Sequence, residues 1–454
     1  MYRKMQDNKA TLFHSGKLID GTGRVVTEEP VLVVGDRIQV TGQAASEQSQ
    51  MFSDLASVNL KGDLLMPGLI DSHCHISFDE PTTNDELFFH RRAGLATLVA
   101  GVNAQKVLRA GVTSILDADC IFEVGVDLRD AIEGGVIAGP RIATGGNALI
   151  NSIAGTASRL LPDRGRRGYG VVVHTHDEIV SEIHSQVKLG VDWIKVHVSG
   201  LPLRPNHAQD EIQTWSLDDL KCVCDTAHQL NVPVAGHCRN ASSARDAALA
   251  GFDLILHATH MDEEATRAVI DKRVPLVPTF TFQANLADFG AAIGADESYC
   301  QVFQDEITGS SAALRTVFEA GVPILTGSES GFSITPYGQW HYRELKLFQE
   351  HLGMNAEQAI QSATGHGGIA IKRADDLGRV EAGCIADLLI VDPAVLDDLD
   401  LLGRPGTIRE IYKSGKSVDV IQPLPETWNI PGWRISEFSN QILTQALAKE
   451  YLES

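Results

Sequence analysis

The middle of the chain repeats one pattern of hydrophobic and polar positions. A short apolar run is followed by a polar or glycine-rich loop and then by apolar residues at helical spacing, as in LDDLKCVCDTAHQLN and SSARDAALAG. Eight of the runs have the composition of strands, and they cover residues 64–75, 113–119, 141–146, 193–200, 233–238, 254–259, 275–280 and 323–330. This alternation predicts an α/β fold, and the eight runs favour a parallel (β/α)8 TIM-like barrel over an open doubly wound sheet.

The two ends of the chain have a different pattern. Residues 10–62 contain TLFHSGKLID and EPVLVVGDRIQVTG, and residues 377–421 contain LGRVEAGCIADLLIVD and IREIYKSGKSVDVI. These are short stretches rich in β-branched residues and separated by glycine turns, which is typical of strands. Residues 151–178 are rich in glycine and arginine and are interpreted as an insertion over one mouth of the barrel.

Composition and charge narrow the classes of partner. The 454-residue chain has 38 basic and 59 acidic residues and a formal net charge of −21, which disfavours nucleic acid or an anionic membrane as the main partner. No apolar run in the sequence is long enough to span a membrane, and residues 1–13 do not have the pattern expected of a secretory signal. Its seven cysteines are scattered and form no paired C-x-x-C motif. We therefore expect a cytoplasmic protein.

Polar side chains occur where the first and fourth predicted strands end. Side chains two positions apart in a strand point to the same side, so Asp71, His73 and His75 share one face. The same rule puts Lys195 and His197 opposite an apolar face of the fourth strand. An unpaired ammonium inside a barrel would be destabilising by several kcal/mol. The burial of this lysine therefore needs a chemical reason.

Three more strand ends carry candidate ligands. His237 ends the fifth predicted strand, His257 ends the sixth and Glu329 lies at the end of the eighth. Taken singly, each histidine could be a hydrogen-bonded core residue and the glutamate a solvated loop residue, but all of these ends would converge at one barrel mouth. His260 precedes an acidic helix start, which it could cap, and it is also a candidate for contacting substrate.

The motif MPGLIDSHCH resembles the first-strand signature of the amidohydrolase superfamily. The resemblance extends from GKLIDGTG to GRVEAGCIADLLIVD, and it is strongest to imidazolonepropionase-like and Xaa-dipeptidase-like members and to hydrolases of ureas, carbamates and thiocarbamates. It implies that residues 1–63 and 375–454, the latter with a C-terminal tail, form a small β-sandwich beside a barrel of residues 64–374. Two unrelated β caps are the alternative.

The resemblance also implies a metal site. Its ligands would be two histidines of the first strand, a lysine that carbon dioxide converts to a bridging carbamate, two further histidines and, where the superfamily has aspartate, a glutamate. In this sequence they are His73, His75, Lys195, His237, His257 and Glu329. Such ligands suit one or two divalent ions per chain, with zinc expected and manganese, cobalt or iron as alternatives.

The implied activity is hydrolysis of an amide-like C–N bond of a small molecule by attack of hydroxide on the carbonyl. Glu329 would transfer the proton, and Lys195 would take part in catalysis as a metal ligand. The substrate-binding candidates are His197, Arg239, Tyr337 and His260. The alternatives are a heterocycle deaminase, a cyclic-amide hydrolase and a catalytically inert barrel used in assembly. The resemblance also suggests a homo-oligomer.

Overall fold

The structure is a computed structural model that describes residues 9–83, 86–87, 91–121, 123–155, 160–201, 211–419 and 424. The chain divides into two compact units, Met1–Asp419 and Val420–Ser454. Only residue 424 of the second unit is described, so the tail expected at the end of 375–454 lies outside the described residues.

The first part of the chain is β-rich. Its elements are β1 (Ala10–His14), β2 (Lys17–Ile19), β3 (Val25–Thr27), β4 (Val31–Val34), β5 (Arg37–Thr41), α1 (Gln43–Ser49), β6 (Leu55–Asn59) and β7 (Leu64–Pro67). Four of these strands form a sheet in the order β5-β4-β1-β6.

The central part alternates strands and helices. It contains β8 (Leu69–Asp71), α2 (Ala93–Arg109), β9 (Val112–Asp117), α3 (Val124–Glu133), β10 (Arg141–Thr144), β11 (Ala148–Ile150), β12 (Gly170–Val172), α4 (His176–Leu189), β13 (Ile194–His197), β14 (Ser199–Gly200), β15 (Ile212–Gln213), α5 (Leu217–Gln229), β16 (Val234–Cys238), α6 (Ala241–Ala250), β17 (Leu254–His257), α7 (Glu263–Lys272) and β18 (Leu276–Val277). The helices α8 (Phe280–Phe289), α9 (Glu297–Glu319), α10 (Arg343–Leu347) and α11 (Ala356–Ser362) follow. The helices expected from the two quoted segments, α5 and α6, are confirmed.

Parallel pairing dominates this central part. One sheet has the order β10-β9-β8 and another the order β12-β11-β13-β16-β17-β18, and all of these pairs are parallel. A parallel bridge between Gly145 and Trp193 links the two sheets. Because helices separate the parallel strands, the fold is of the mixed α/β, TIM-barrel-like kind.

The segment 323–330, predicted as the eighth strand, forms isolated bridges in place of a regular strand. Ile324 bridges Leu276 of β18, and Ser330 bridges Cys74, which lies just beyond β8. The backbone N–H of Glu329 also donates to the carbonyl oxygen of His73 at 2.7 Å. The segment therefore runs beside both the first and the seventh predicted strands.

The apolar run predicted as one first strand is divided at Gly68. β7 before it pairs with β2, whereas β8 after it pairs with β9. A Cβ atom at Gly68 would lie 2.1 Å from Oγ1 of Thr113. The close approach of the two chains therefore requires glycine here, and the chain changes sheet at this residue.

The end of the described chain returns to the β-rich part. The strands β19 (Leu388–Val391), β20 (Ile408–Lys413) and β21 (Lys416–Ser417) extend a sheet of order β21-β20-β19-β7-β2-β3. Phe13 of the first sheet packs edge-on against Tyr412 of this one, with ring centroids 5.0 Å apart. The two sheets share one buried apolar cluster.

Residues that favour helix ends flank the helices of the central part. The N-cap residues of α4, α5 and α6, which are Thr175, Ser216 and Asn240, form capping boxes. These boxes satisfy backbone N–H groups that lack partners in the helix. Gly190 and Gly251 end α4 and α6 in the left-handed conformation. Among the described residues, no helix combines the length and the apolar character needed to cross a membrane.

Candidate metal centre

Five buried histidines form a row at the carboxyl ends of the parallel strands. His73 and His75 follow β8, and His197, His237 and His257 lie at or near the ends of β13, β16 and β17. Neighbouring rings in the order 75, 73, 257, 237, 197 have centroids 4.8, 5.2, 4.5 and 4.7 Å apart. The parallel strands therefore bring to one place histidines that are far apart in sequence.

Two groups of buried side chains have metal-ligand spacing. One consists of His73, His75 and Asp119, and the other of His73, His257 and Glu329; within each group the ligand atoms lie within 4.8 Å of one another. Both ring nitrogens of His257, Nδ1 of His75, Oδ1 of Asp119 and Oε2 of Glu329 have no hydrogen-bond partner among the described residues. Unpaired buried polar atoms are destabilising, so this donor set fits a divalent cation.

Burial keeps the imidazoles of His73, His75, His237 and His257 in the neutral form. It lowers the pKa of His75 and His237 to about 4 and the pKa of His73 and His257 well below the ordinary value of 6.5. Neutral imidazole is the form that binds metal ions. These rings are therefore available as ligands at neutral pH without losing a proton.

Lys195 is buried beside a carboxylate that the sequence analysis missed. Its Nζ lies 3.7 Å from Oδ1 of Asp119. Burial lowers the pKa of Lys195, and Asp119 and Glu329 oppose that shift. Burial would raise the pKa of Asp119, but Lys195 and His75 lower it well below its ordinary value. An ion pair thus gives a second reason for the buried lysine, beside conversion to a carbamate.

His197 contacts Asp119 through one nitrogen and the backbone through the other. The N–H of Gly155 donates to Nδ1 at 3.1 Å, so Nε2 carries the proton and donates to Oδ2 of Asp119 at 3.2 Å. The ring also stacks on His237 at an interplanar angle of 4°. Since both nitrogens are engaged, His197 orients Asp119.

His237 is paired with another carboxylate that the sequence did not indicate. Its Nε2 lies 2.9 and 3.1 Å from the two carboxylate oxygens of Glu211. Burial would raise the pKa of Glu211, but His237 and Arg239 lower it to about 2. The hydroxyl of Ser199 donates to the same carboxylate at 2.7 Å. With Nε2 occupied, a metal ion at His237 would have to bind Nδ1.

Glu329, predicted in place of the superfamily aspartate, lies among the histidines. Burial raises its pKa to about 8, although Arg239 and Lys195 oppose the shift. Its φ angle is +54°, and that of His257 is +68°. Residues other than glycine rarely adopt this left-handed conformation, and it occurs often at functional sites.

Arg239, a predicted substrate-binding residue, is already paired. Its Nη2 donates to Glu306 at 2.5 Å, and its Nε lies 3.8 Å from Glu211. The guanidinium also lies 5.6 Å from the ring centroid of Phe303. Two carboxylates therefore share its charge, and it contributes to the positive potential near Glu329.

Tyr337 and His260 have different surroundings. The hydroxyl of Tyr337 donates to the carbonyl oxygen of His75 at 2.5 Å and accepts from the N–H of Asp79 at 3.1 Å. It thus fixes the backbone of a candidate ligand. His260 is exposed and lies outside both ligand groups, and its N–H donates to Ser310 at 3.1 Å.

Asp71 connects the end of the first strand to the segment 323–330 through hydrogen bonds. Its carboxylate accepts from the N–H of His73 at 3.1 Å, from the N–H and hydroxyl of Ser328 at 3.0 and 2.5 Å, and from Nδ1 of His341 at 2.6 Å. The segment that carries Glu329 is therefore fastened to the first strand. Asp71 itself belongs to neither ligand group.

Aromatic rings adjoin His75. Phe78 stacks on its imidazole with centroids 4.2 Å apart, and the ring of Phe332 lies 5.7 Å away. Phe282 and Phe303 continue this series, with centroid distances of 5.4 Å from Phe332 to Phe282 and 6.0 Å from Phe282 to Phe303. Phe282 and Phe332 are partly exposed. They give this side of the site an apolar wall.

Known proteins resemble the chain over most of its length. The profile of the Amidohydrolase family matches residues 64–418. Ochratoxinase of Aspergillus niger is 26% identical over 435 residues, which cover 90% of this chain and 86% of that protein. Imidazolonepropionase of Thermoplasma volcanium is 21% identical over 405 residues, or 83% of this chain and 88% of that protein. A crystal structure of a Xaa-Pro dipeptidase with methionine bound in its active site has a TM-score of 0.78 and 26% identity, and the match covers 90% of this chain and 100% of that one.

Proposed function

The chain belongs to the amidohydrolase family, and on that basis we propose that it is a metal-dependent hydrolase of an amide-like C–N bond. The family expected from MPGLIDSHCH is thereby confirmed. The observation that carries the proposal is the pair of buried ligand groups that share His73 and contain polar atoms without partners. Such groups are expected where a cation completes the site.

The metal is proposed to be zinc, with one or two ions per chain. Imidazole and carboxylate ligands without cysteine suit zinc and also manganese, cobalt and iron. When bound, such an ion would polarise a carbonyl group and lower the pKa of water toward about 7. His73, His75, His257 and Glu329 would bind it, and the family resemblance adds Lys195 and His237.

Glu329 is proposed as the residue that transfers the proton. Burial raises the pKa of its carboxyl group to about 8 in the metal-free protein, and a cation bound nearby would lower that pKa toward the range in which one group acts efficiently as base and then as acid. As a carboxylate it would accept a proton from the attacking water. As a carboxylic acid it would deliver that proton to the leaving nitrogen.

Lys195 is proposed to be carboxylated and to bridge two ions. Its neutral amine would attack carbon dioxide, form an N–C bond and lose one proton, which yields an anionic carbamate. Burial, which lowers its pKa, supports the presence of the neutral amine that this reaction requires. The competing state is the ammonium ion paired with Asp119.

The architecture proposed with this function is a closed barrel over residues 64–374 with a small β-sandwich from residues 1–63 and 375–454. The bridges of the 323–330 segment on both sides support closure, and the apolar cluster shared by the two end sheets supports the sandwich. We also propose that the protein is a cytoplasmic homo-oligomer and that its substrate is a small molecule. The acidic composition supports a partner other than nucleic acid or membrane.

The test is a hydrolysis screen with metal-free and metal-loaded protein. The panel contains dipeptides, because a Xaa-Pro dipeptidase is among the similar structures, together with N-acyl amino acids, carbamates, ureas and lactams. Products are identified by mass spectrometry, and some members carry an aromatic group that the wall beside His75 could contact. We expect hydrolysis that disappears on chelation and returns on reloading.

The matched pair of variants is His73→Asn and His184→Asn. His73 belongs to both ligand groups, whereas His184 is exposed on α4. The first variant should lose activity and bound metal, and the second should keep both. Purified protein that contains no transition metal, and that stays inactive on the whole panel after loading, would contradict the proposed function.

A further inference from the structure

The carboxylate of Asp119 is buried next to His73 and His75, and it is not among the residues that the family resemblance supplies. We propose that Asp119 is a direct ligand of the metal ion that His73 and His75 bind. The inference rests on the proposed function only in that this site binds a metal. It adds a ligand from the second predicted strand, and with it a carboxylate that does not depend on carboxylation of Lys195.

The distance between the two facing ligand atoms supports a shared ion. Oδ1 of Asp119 lies 3.3 Å from Nδ1 of His75, yet neither atom has a partner in hydrogen-bond geometry among the described residues. Two ligands of one tetrahedral zinc ion, each 2.0–2.2 Å from the metal, are separated by about 3.3–3.6 Å. The observed separation is therefore that of neighbouring ligands.

Hydrogen bonds leave one oxygen of Asp119 available. Oδ2 accepts a hydrogen bond from Nε2 of His197 at 3.2 Å. The N–H of Gly155 donates to Nδ1 of the same ring, so Nε2 is the nitrogen that carries the proton. Oδ1 has no such donor. A carboxylate that binds a metal through one oxygen and is oriented by a hydrogen bond at the other is a recurring arrangement in metal sites. His197 is thus a positioning residue for Asp119.

The environment of His73 leaves a nitrogen for the same ion. The hydroxyl of Thr279 donates to the carbonyl oxygen of Val277 at 3.1 Å, so it accepts from Nδ1 of His73 at 3.2 Å. Nε2 of His73 then carries the free lone pair. Two histidines and one carboxylate with a fourth position open form a common ligand set of hydrolytic zinc sites.

The competing explanation is that Asp119 only balances the charge of Lys195, whose Nζ is 3.7 Å away. The two explanations predict different metal contents for variants in which a neutral residue replaces Lys195. If Asp119 is a ligand, Lys195→Met retains one ion, and adding Asp119→Asn removes it. If Asp119 is only a counter-ion, the double variant binds metal as well as Lys195→Met alone.

Metal content and affinity provide the first measurement. Zinc per chain is determined by elemental analysis after dialysis, and affinity by competition with a chelator, with circular dichroism as a check of folding. Asp119→Asn should bind zinc at least about tenfold more weakly, because even indirect partners of a ligand contribute 10–100-fold. Asp117→Asn is the matched control: Asp117 is buried two residues earlier, accepts from the N–H of Ile76 at 3.3 Å and lies outside both ligand groups.

A spectroscopic measurement tests coordination directly. Asp119→Cys and Asp117→Cys are loaded with cobalt, and a thiolate bound to cobalt adds a sulfur-to-metal charge-transfer band. We expect the band in Asp119→Cys and its absence in Asp117→Cys and the wild type. Wild-type zinc affinity in Asp119→Asn, or no band in a folded, cobalt-loaded Asp119→Cys, would overturn the inference. These readouts do not involve hydrolysis, so they stand apart from failure of the activity screen.

Discussion

Binding of zinc to the metal-free protein should release nearly one proton from Glu329 at pH 7. Burial raises the pKa of Glu329 to about 8, so about 90% of its carboxyl groups are protonated at pH 7 and about 10% at pH 9. His75 and His237 have a pKa of about 4, so about one in a thousand of these rings is charged at pH 7. Among these three side chains, the glutamate is therefore the source of the proton that the metal displaces.

The assay is isothermal titration calorimetry of zinc into metal-free wild type and Glu329→Gln. Each titration is repeated in three buffers of different ionisation enthalpy at pH 7 and pH 9, without carbon dioxide so that Lys195 is not carboxylated. Ionisation of water on the metal contributes in both proteins. The difference between the proteins should be about 0.9 proton at pH 7 and about 0.1 at pH 9. Equal proton release at pH 7, or a difference that does not fall by pH 9, would refute the assignment of Glu329 as a protonated carboxyl that becomes a ligand.

Three further predictions test the surroundings of the site. Glu211→Gln should weaken zinc binding about 10–100-fold in a chelator competition, because it removes the charge that orients His237. The control Glu264→Gln changes an exposed carboxylate and should bind zinc as the wild type does. Gly68→Ala should lower the free energy of unfolding, measured in urea, by about 1–3 kcal/mol, because the added Cβ would lie 2.1 Å from the side chain of Thr113. In the control Gly94→Ala the added Cβ meets no atom within 4 Å, so the free energy of unfolding should not fall. Removal of zinc should lower the free energy of unfolding by about 2.7 kcal/mol relative to protein at a free zinc concentration 100 times its dissociation constant, and an unchanged melting temperature would contradict a metal that binds the folded state.

The sequence predicted that the candidate ligands at the strand ends lie close together. Alternation in a strand put His73 and His75 on one face, and the repeated strand and helix pattern brought His237 and His257 to the same edge. The same reasoning could have found Asp119, since Asp117 and Asp119 are two residues apart where the second predicted strand ends. The predicted ligand set does not include it, because residues 113–119 contain no histidine and the superfamily resemblance supplies no ligand from this strand.

Other features depend on contacts that no local pattern contains. Glu211 lies in a connection between strands, and its pairing with His237 follows from the path of the chain. The need for glycine at position 68 comes from the close approach of Thr113, a residue distant in the sequence. Periodicity can predict that a strand forms, but its partner is decided by packing between distant segments.

The ionisation of Lys195 and the number of metal ions are coupled through charge. As an ammonium ion 3.7 Å from Asp119, Lys195 offsets one of the negative charges among Asp119 and Glu329, and the remainder suits one divalent ion beside neutral histidines. Conversion to a carbamate replaces that positive charge by a negative one, a change of two charges in a buried space. Since uncompensated buried charge is strongly unfavourable, a second divalent ion would favour the carbamate that we propose. We therefore propose that Lys195 is an ammonium ion paired with Asp119 when one divalent ion is bound and a carbamate when two are bound.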